Sequence, residues 1–131
     1  MSLQLQTIGI IVKNMGASLA FYRTLGLDIP TGLDGEMNVD YDAPNGLTFG
    51  FLTEAAAMHN DPRFVAPVGQ NMNLQFIVDS PAEVDTVYAR LIAAGYTSYS
   101  EPWDAFWGQR FGRVTDPDGR VVNIYAHLTQ G

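Results

Sequence analysis

Residues 73–95, NLQFIVDSPAEVDTVYARLIAAG, carry the signals of a β-strand that leads directly into an amphipathic helix. The apolar run NLQFIV is typical of a strand, and either Asp79 or Ser80 can cap a helix with Pro81 in its first turn. Apolar side chains then recur at the 3.6-residue spacing of a buried helix face, at Val84, Val87, Tyr88, Leu91 and Ile92. Gly95 is expected to stop this helix.

The same order of signals occurs earlier in the chain. LQTIGIIV at 5–12 predicts a strand, Asn14 can cap the helix that follows, and Gly26 occupies the position of a left-handed helix end. Each half then closes with a turn that leads into a further strand, at Pro44-Asn45-Gly46 and at Pro117-Asp118-Gly119. Such self-similarity indicates an internal repeat, which constrains the whole fold.

The repeat predicts one domain over 1–131, built from two modules at about 1–56 and 71–129, with a linker at 57–70. His59 falls in this linker, where a solvated side chain is expected. The two halves align in register, with Thr7 on Asn73, Ile10 on Phe76, Gly46 on Gly119 and Gly50 on Asn123.

Strand alternation separates a core face from a second face in each half. The core face is predicted to contain Ile8, Ile10, Val12, Phe49, Phe51, Leu74, Phe76, Val78, Val122 and Ile124. The second face contains Thr7, Gly9, Ile11, Thr48, Gly50, Leu52, Asn73, Gln75, Ile77, Val121, Asn123 and Tyr125, and none of these is charged. An uncharged, mixed face predicts a partly covered small-molecule surface. A dimer interface without a ligand is the alternative.

Composition excludes several classes of function. The chain has 14 acidic and 7 basic side chains, a net charge of -7, no cysteine and two histidines. This balance argues against nucleic-acid or anionic-membrane partners, and it excludes disulfides and cysteine-ligated metals. The N-terminus lacks the pattern of a signal peptide, and no apolar run is long enough to cross a bilayer, so we expect a cytoplasmic protein.

The segment 99–107, YSEPWDAFW, is the strongest candidate for ligand contact and is predicted to be a loop. It combines aromatic Trp103, Phe106 and Trp107 with acidic Glu101 and Asp104. Aromatic rings beside carboxylates suit a planar or cationic ligand through stacking and cation–π attraction. The alternative is that these rings only pack the loop onto the sheet or fill a dimer interface. Phe111 is expected in the core, and Arg110 to bind a carboxylate or pair with a surface acid.

Three runs together resemble the vicinal oxygen chelate superfamily, in particular its glyoxalase/bleomycin-resistance group: TIGIIVKNMGASLAFYRTLGL, NLQFIVDSPAEVDTVYARLIAAGY and WGQRFGRVTDPDGRVVNIY. The resemblance implies an α+β fold of two βαβββ modules whose curved mixed sheets surround a cup. It also implies a homodimer. For the bleomycin-resistance branch it implies antibiotic resistance by sequestration of a drug.

The resemblance also implies where a metal would bind, because metal-using members place one ligand in the first and one in the last strand of each module. These positions are Thr7, Gly50, Asn73 and Asn123 here. None offers the imidazole or carboxylate donor that transition metals prefer. We therefore expect neither a metal nor another cofactor, and no catalytic residue is assigned.

These observations favour a metal-independent binding protein that sequesters an aromatic or cationic compound. The predicted ligand-binding residues are Asn73, Glu101, Trp103, Asp104, Phe106, Trp107, Asn123 and Tyr125. The alternative function is a lyase or dioxygenase-like enzyme of the same superfamily, with a non-standard metal site or with acid–base chemistry at His59, Glu54 or Glu101. The expected partners are a small molecule and a second copy of the chain, and neither nucleic acid nor a membrane.

Overall fold

A computed structural model describes residues 2–128 of the chain. Their strands and helices follow the order β1 (Thr7–Val12), α1 (Met15–Leu25), β2 (Asn38–Asp42), β3 (Thr48–Thr53), α2 (Glu54–Asn60), β4 (Leu74–Ile77), α3 (Pro81–Ala93), β5 (Ser98–Ala105), β6 (Gln109–Thr115) and β7 (Val121–His127). None of the helices within this range is long and apolar enough to span a bilayer.

The strands form two mixed sheets. The first sheet has the order β1-β3-β2 and the second sheet the order β4-β7-β6-β5. In each sheet the strand before the long helix pairs parallel with the last strand, and the other pairings are antiparallel. This architecture confirms the predicted α+β class with two mixed sheets and βαβββ-like modules.

The register of the two parallel pairs confirms the internal repeat. Gly9 is the partner of Gly50 in the first sheet, and Gln75 is the partner of Asn123 in the second. The sequence alignment of the halves places Gly9 on Gln75 and Gly50 on Asn123. The two halves therefore repeat the pairing of their strands as well as their sequence pattern.

The predicted helix ends are also confirmed. The Ala17 amide donates to Asn14 Oδ1 over 2.8 Å at the start of α1, and the Glu83 amide donates to Ser80 Oγ over 3.3 Å at the start of α3. Gly95 follows α3 with a φ of 98°, in the left-handed region that favours glycine.

Contacts group the described residues into two compact units. One contains the chain up to Ala20 and Asp28–Pro67, with the first sheet; the other contains Phe21–Leu27 and the chain from Val68 onward, with the second sheet. The core of the first unit includes Ile10, Val12, Met15, Leu19, Val39 and Phe51. The core of the second includes Phe21, Tyr22, Val84, Leu91, Val114, Val122 and Ile124. The single domain with modules 1–56 and 71–129 stays a prediction.

A buried polar cluster closes the second unit at the turn before β7. Tyr22 Oη donates to Asp116 Oδ2 over 2.8 Å, and the Arg120 guanidinium donates to the same oxygen. The backbone amides of Asp118 and Arg120 donate to Asp116 Oδ1 over 2.9 Å and 3.0 Å. Asp116 thus connects the turn to the end of α1. Burial of the Tyr22 hydroxyl and the negative charge of Asp116 raise the pKa of Tyr22.

In three places the local structure adds to or differs from the predicted elements. Residues 57–60, including His59, form the end of α2 within the stretch predicted as a linker, because Thr53 caps a run of alanines and accepts from the Ala56 amide over 3.1 Å. The segment 99–107 is mostly strand β5 rather than a loop. Between α1 and β2 the described chain forms no strand, since this stretch contains Pro30 and three glycines.

Candidate functional site

The two faces of the second sheet have different surroundings. One face packs against α3: Arg110 Nε donates to Asp85 Oδ1 over 2.9 Å, and a Cβ atom added to Gly112 would lie 3.5 Å from a valine of that helix. Because side chains alternate along a strand, Phe111 and Arg113 point to the other face. That face carries the candidate site, and Phe111 is buried there, with 7% of its surface exposed, as the prediction of a core residue requires.

An aromatic row crosses this face over three neighbouring strands and consists of Trp103, Phe111 and Tyr125. Trp103 pairs with Phe111 across β5 and β6, and Phe111 pairs with Tyr125 across β6 and β7. The Phe111 and Tyr125 rings stack with centroids 5.4 Å apart and planes 18° apart, and the Trp103 centroid lies 6.0 Å from that of Phe111. Phe111 is buried between its neighbours, with 7% of its surface exposed, and the half-buried rings of Trp103 and Tyr125 on either side are accessible to a planar group.

Two further aromatic residues extend the row at the β5–β6 turn. The Trp107 centroid lies 5.4 Å from that of Phe111 and 6.0 Å from that of Trp103, in edge-on contacts. Trp107 Nε1 donates to Gln109 Oε1 over 2.8 Å, which fixes the indole against the sheet. The Phe106 and Trp107 ring centroids lie 5.1 Å apart in an edge-on contact. Phe106 is 96% exposed, so it lies at the rim of the aromatic row.

A polar row lies one step along the strands from the aromatic row, on the same face, and consists of Gln75, Asn123 and Arg113. Gln75 is the partner of Asn123, and Asn123 is the partner of Arg113. Asn123 is buried, with 7% of its surface exposed, and its Oδ1 atom has no hydrogen-bond partner among residues 2–128. The Nε atom of Arg113 is likewise buried and has no partner there. Buried polar atoms without partners are costly, so both atoms are available to the polar groups of a ligand.

Arg113 brings a positive charge to this face. Its guanidinium carbon lies 4.9 Å from the centroid of the Trp103 ring and 5.5 Å from that of Tyr99, within the range of cation–π attraction. No carboxylate of the described residues forms an ion pair with Arg113. The aromatic contacts hold the guanidinium in place while its hydrogen-bonding capacity stays open.

The structure places one of the two predicted acidic residues, Asp104, on the side of the sheet opposite the aromatic row. Asp104 is the partner of Arg110 and accepts from its Nη1 over 2.8 Å, on the α3 side of the sheet. Hydrogen bonds to Asp104 and Asp85 raise the pKa of Arg110, which confirms its pairing with surface acids. Glu101 is exposed, in the irregular part of β5 between the pairings of Ser100 and Trp103.

The predicted asparagines differ in their surroundings. Asn123 lies within β7 on the polar row, whereas Asn73 is exposed and comes directly before β4. Of the predicted ligand-binding residues, the structure therefore brings together four side chains, with Phe106 at their rim: Trp103, Trp107, Asn123 and Tyr125.

A cavity of about 320 Å³ lies elsewhere in the second unit, on the α3 side of the sheet. It is lined by the end of α1 around Gly26, by Phe76 and Ile77 of β4, and by Val87 and Arg90 of α3. Arg90 donates to backbone carbonyls at the end of α1, so its charge already has partners. This cavity contains none of the aromatic row.

A comparison of the sequence with protein-family models agrees with the observed fold. The family model for the glyoxalase/bleomycin resistance protein/dioxygenase superfamily matches residues 4–124. The chain belongs to this superfamily.

Solved structures of superfamily proteins have the same fold. The chain is 24% identical to a glyoxalase/bleomycin resistance protein/dioxygenase family enzyme from Burkholderia phytofirmans, with a TM-score of 0.80 over 96% of this chain and 100% of that one. A glyoxalase/bleomycin resistance protein/dioxygenase from Nocardioides is 25% identical, with a TM-score of 0.76 over 100% and 87% of the two chains. A glyoxalase/bleomycin resistance protein from Albidiferax ferrireducens is 26% identical, with a TM-score of 0.71 over 93% and 97%. No curated protein matches the chain.

The positions predicted for the superfamily's metal carry unsuitable donors in this chain. Gly50 has no side chain, and a Cβ atom added there would lie 2.9 Å from Asp40 Oδ1, the end of a flexible side chain that would have to shift. Thr7 and Asn73 are an exposed hydroxyl and an exposed amide. Among residues 2–128, no three histidine, aspartate or glutamate side chains come together to hold a metal ion. The donor set does not fit a divalent transition metal.

Arg113 and the role of Phe111 were missed by the sequence analysis. The signal was present in QRFGRVT at 109–115, where Phe111 and Arg113 alternate with residues of opposite facing. Arg113 lies two positions after Phe111, so in a strand both side chains point to the same face. Because that face points away from α3, the spacing indicates a pair that faces a ligand.

Proposed function

We propose that the protein is a metal-independent binding protein that sequesters a planar aromatic compound on the aromatic row. The observation that carries the proposal is the row of contacting rings Trp103, Phe111 and Tyr125, bordered by two buried polar atoms that have no partner among residues 2–128. Stacking supplies affinity and a few polar groups supply orientation, which is the usual composition of a small-molecule site. Sequestration would protect a cell without turnover, as in antibiotic resistance.

A planar aromatic ligand has better support than a cationic one. Arg113 places a positive charge beside the aromatic row, and Asp104 is engaged by Arg110 on the opposite side of the sheet. A cation on the row would meet Arg113 at close range, where like charges repel. The proposed ligand is therefore aromatic and not cationic.

The enzyme alternative gains no support from the predicted acid–base residues. His59 and Glu54 lie on α2, and Glu101 is exposed in β5. No geometry among residues 2–128 marks any of the three as a general acid or base, a role that needs a reacting group within hydrogen-bond distance.

We also propose that the protein is a homodimer in the cytoplasm. Apolar side chains with large exposed fractions support self-association, among them Ile77 at 57%, Phe106 at 96% and Trp107 at 49%. Sedimentation equilibrium tests this part of the proposal, with twice the 14.3 kDa chain mass expected and the chain mass contradicting it.

Isothermal titration calorimetry in buffer with chelator tests the binding proposal. The probes share one ring system and differ in charge: 2-naphthol, 2-naphthoate and 2-(aminomethyl)naphthalene. We expect saturable one-site binding of at least one probe, lost in Trp103→Leu and kept in Phe64→Leu, which truncates an aromatic residue of the other unit. Absence of binding for all three probes, with a folded protein by circular dichroism, would contradict the proposal.

A further inference from the structure

We infer that the ligand of this site is an aromatic carboxylate that also carries a hydrogen-bond donor. The inference deepens the proposed function and rests on it. It follows from the chemistry of the two polar atoms that the fold leaves without partners, Arg113 Nε and Asn123 Oδ1.

Arg113 selects the charge of the ligand. A guanidinium is always protonated, and its planar fork of N–H donors matches the two oxygens of a carboxylate. The described residues supply no carboxylate to it, although the chain has twice as many acidic as basic residues. The Arg113 charge on the aromatic face is therefore available to pair with a negatively charged group of a ligand. A ligand carboxylate would satisfy Nε with a charge-assisted hydrogen bond.

Asn123 selects the second group. Its Oδ1 atom accepts and cannot donate, so the group that meets it has to carry an N–H or O–H. Because Asn123 is 93% buried, water has little access to that oxygen, and a ligand donor removes the cost of its desolvation.

The arrangement of the rows connects both groups to one ring system. Arg113 and Asn123 are direct partners across β6 and β7, and Phe111 and Tyr125 are the next partners on the same face. Two residues along a strand span roughly 7 Å, so a ring stacked on the aromatic row can carry its substituents to the polar row. A carboxylate then lies on the Arg113 side and a donor on the Asn123 side of one planar molecule.

Two variants of the protein separate these contributions. Arg113→Gln keeps a polar side chain but removes the charge, and Asn123→Leu keeps the branched shape of the side chain but removes the acceptor. Arg63→Gln is the matched control, since Arg63 is an exposed arginine in the other unit with 96% of its side chain accessible.

The test is calorimetric titration with a matched ligand series: 6-hydroxy-2-naphthoate, 6-hydroxy-2-naphthamide and 6-methoxy-2-naphthoate. On the natural protein we expect the carboxamide to bind about tenfold more weakly than the carboxylate, and the methyl ether roughly fivefold more weakly than the phenol. Arg113→Gln should abolish the first difference and Asn123→Leu the second. Arg63→Gln should keep both.

The outcomes distinguish the inference from the function on which it rests. Equal affinity for the carboxylate and the carboxamide overturns the inference while the binding function stands. Failure of the whole series, together with failure of 2-naphthol and the amine, overturns the binding function and the inference with it. The comparison of ligands on the natural protein decides the matter even if a variant does not fold.

Discussion

The guanidinium carbon of Arg113 lies 4.9 Å from the centroid of the Trp103 ring, on the face of the second sheet that points away from α3. The two residues lie on neighbouring strands, and each supports the other. The Trp103 ring holds the Arg113 guanidinium in place through a cation–π contact. Trp103 therefore affects both parts of the proposed site, the surface that stacks a ligand and the arginine that meets its charge.

Replacement of this tryptophan should weaken ligand binding strongly. We expect Trp103→Leu to raise the Kd for 2-naphthoate by at least about tenfold, because one aromatic contact and one cation–π contact contribute about 0.5–2 kcal/mol each. Titration calorimetry measures the change, with Phe64→Leu as the control. An unchanged Kd in a folded Trp103→Leu variant would contradict the role of the aromatic row.

The buried aspartate at the turn before β7 should be a major determinant of stability. Asp116 is fully buried and accepts from Tyr22, from Arg120 and from two backbone amides. Asp116→Asn should lower the free energy of unfolding by roughly 3 kcal/mol, because it leaves the Arg120 charge partly buried without its partner. Urea denaturation followed by circular dichroism measures the loss.

Asp61→Asn is the matched control for that experiment. Asp61 contacts Arg63 at 4.0 Å, and both side chains are largely exposed, so this pair is screened by solvent. A change of less than about 0.5 kcal/mol is expected. Equal effects of the two substitutions would show that burial of the Asp116 cluster adds nothing to stability.

The same cluster predicts a dependence of stability on alkaline pH. Burial and the neighbouring Asp116 charge raise the pKa of Tyr22 above its ordinary value of 10.0 in the folded state. Above about pH 10 the unfolded chain loses this phenolic proton while the folded chain keeps it, so the free energy of unfolding falls as the pH rises. The contribution of Tyr22 approaches about 1.4 kcal/mol per pH unit.

Tyr22→Phe isolates this contribution. The variant should be somewhat less stable at pH 8, because a buried hydrogen bond is lost, but its stability should fall less steeply between pH 9 and pH 11. Urea titrations of both proteins across this range give the two slopes. Parallel slopes would contradict the assignment of the raised pKa to Tyr22.

Much of the fold could be predicted because its signals are local or repeated. Ser80 and Gly95 mark the ends of α3 through capping chemistry that depends only on neighbouring residues. The pairing of Gly9 with Gly50 in the first sheet and of Gln75 with Asn123 in the second follows from the repeat, since two copies of one sequence pattern pair their strands alike.

The site was harder to predict because it depends on the register of β5. This strand contains irregularities between Ser98 and Ser100 and between Ser100 and Trp103, and an extra residue in a strand reverses the face of the residues beyond it. The sequence predicts a loop at 99–107, so it assigns no faces to Trp103 and Asp104, which point to opposite sides of β5. The open hydrogen-bonding atoms of Arg113 and Asn123 depend on tertiary burial, which the sequence pattern does not contain.

Metal removal should leave the protein unchanged. The residues at the predicted metal positions, Thr7, Gly50, Asn73 and Asn123, do not fit a transition metal. We expect well below one equivalent of zinc, iron, manganese or nickel per chain in protein purified without chelator, measured by inductively coupled plasma mass spectrometry. Treatment with EDTA should change neither the Tm nor the Kd for 2-naphthoate. About one equivalent of any of these metals would contradict metal independence.

The most direct test of the binding site uses the indole N–H signals of the two tryptophans, Trp103 and Trp107, in a ¹H–¹⁵N correlation spectrum. Trp103→Leu assigns the pair by removing one signal. During titration with 6-hydroxy-2-naphthoate in metal-free buffer, both signals should shift along one saturable curve, because both rings contact Phe111 beside the proposed ligand. Saturable binding by calorimetry with both indole signals unmoved would place the ligand elsewhere and contradict the account.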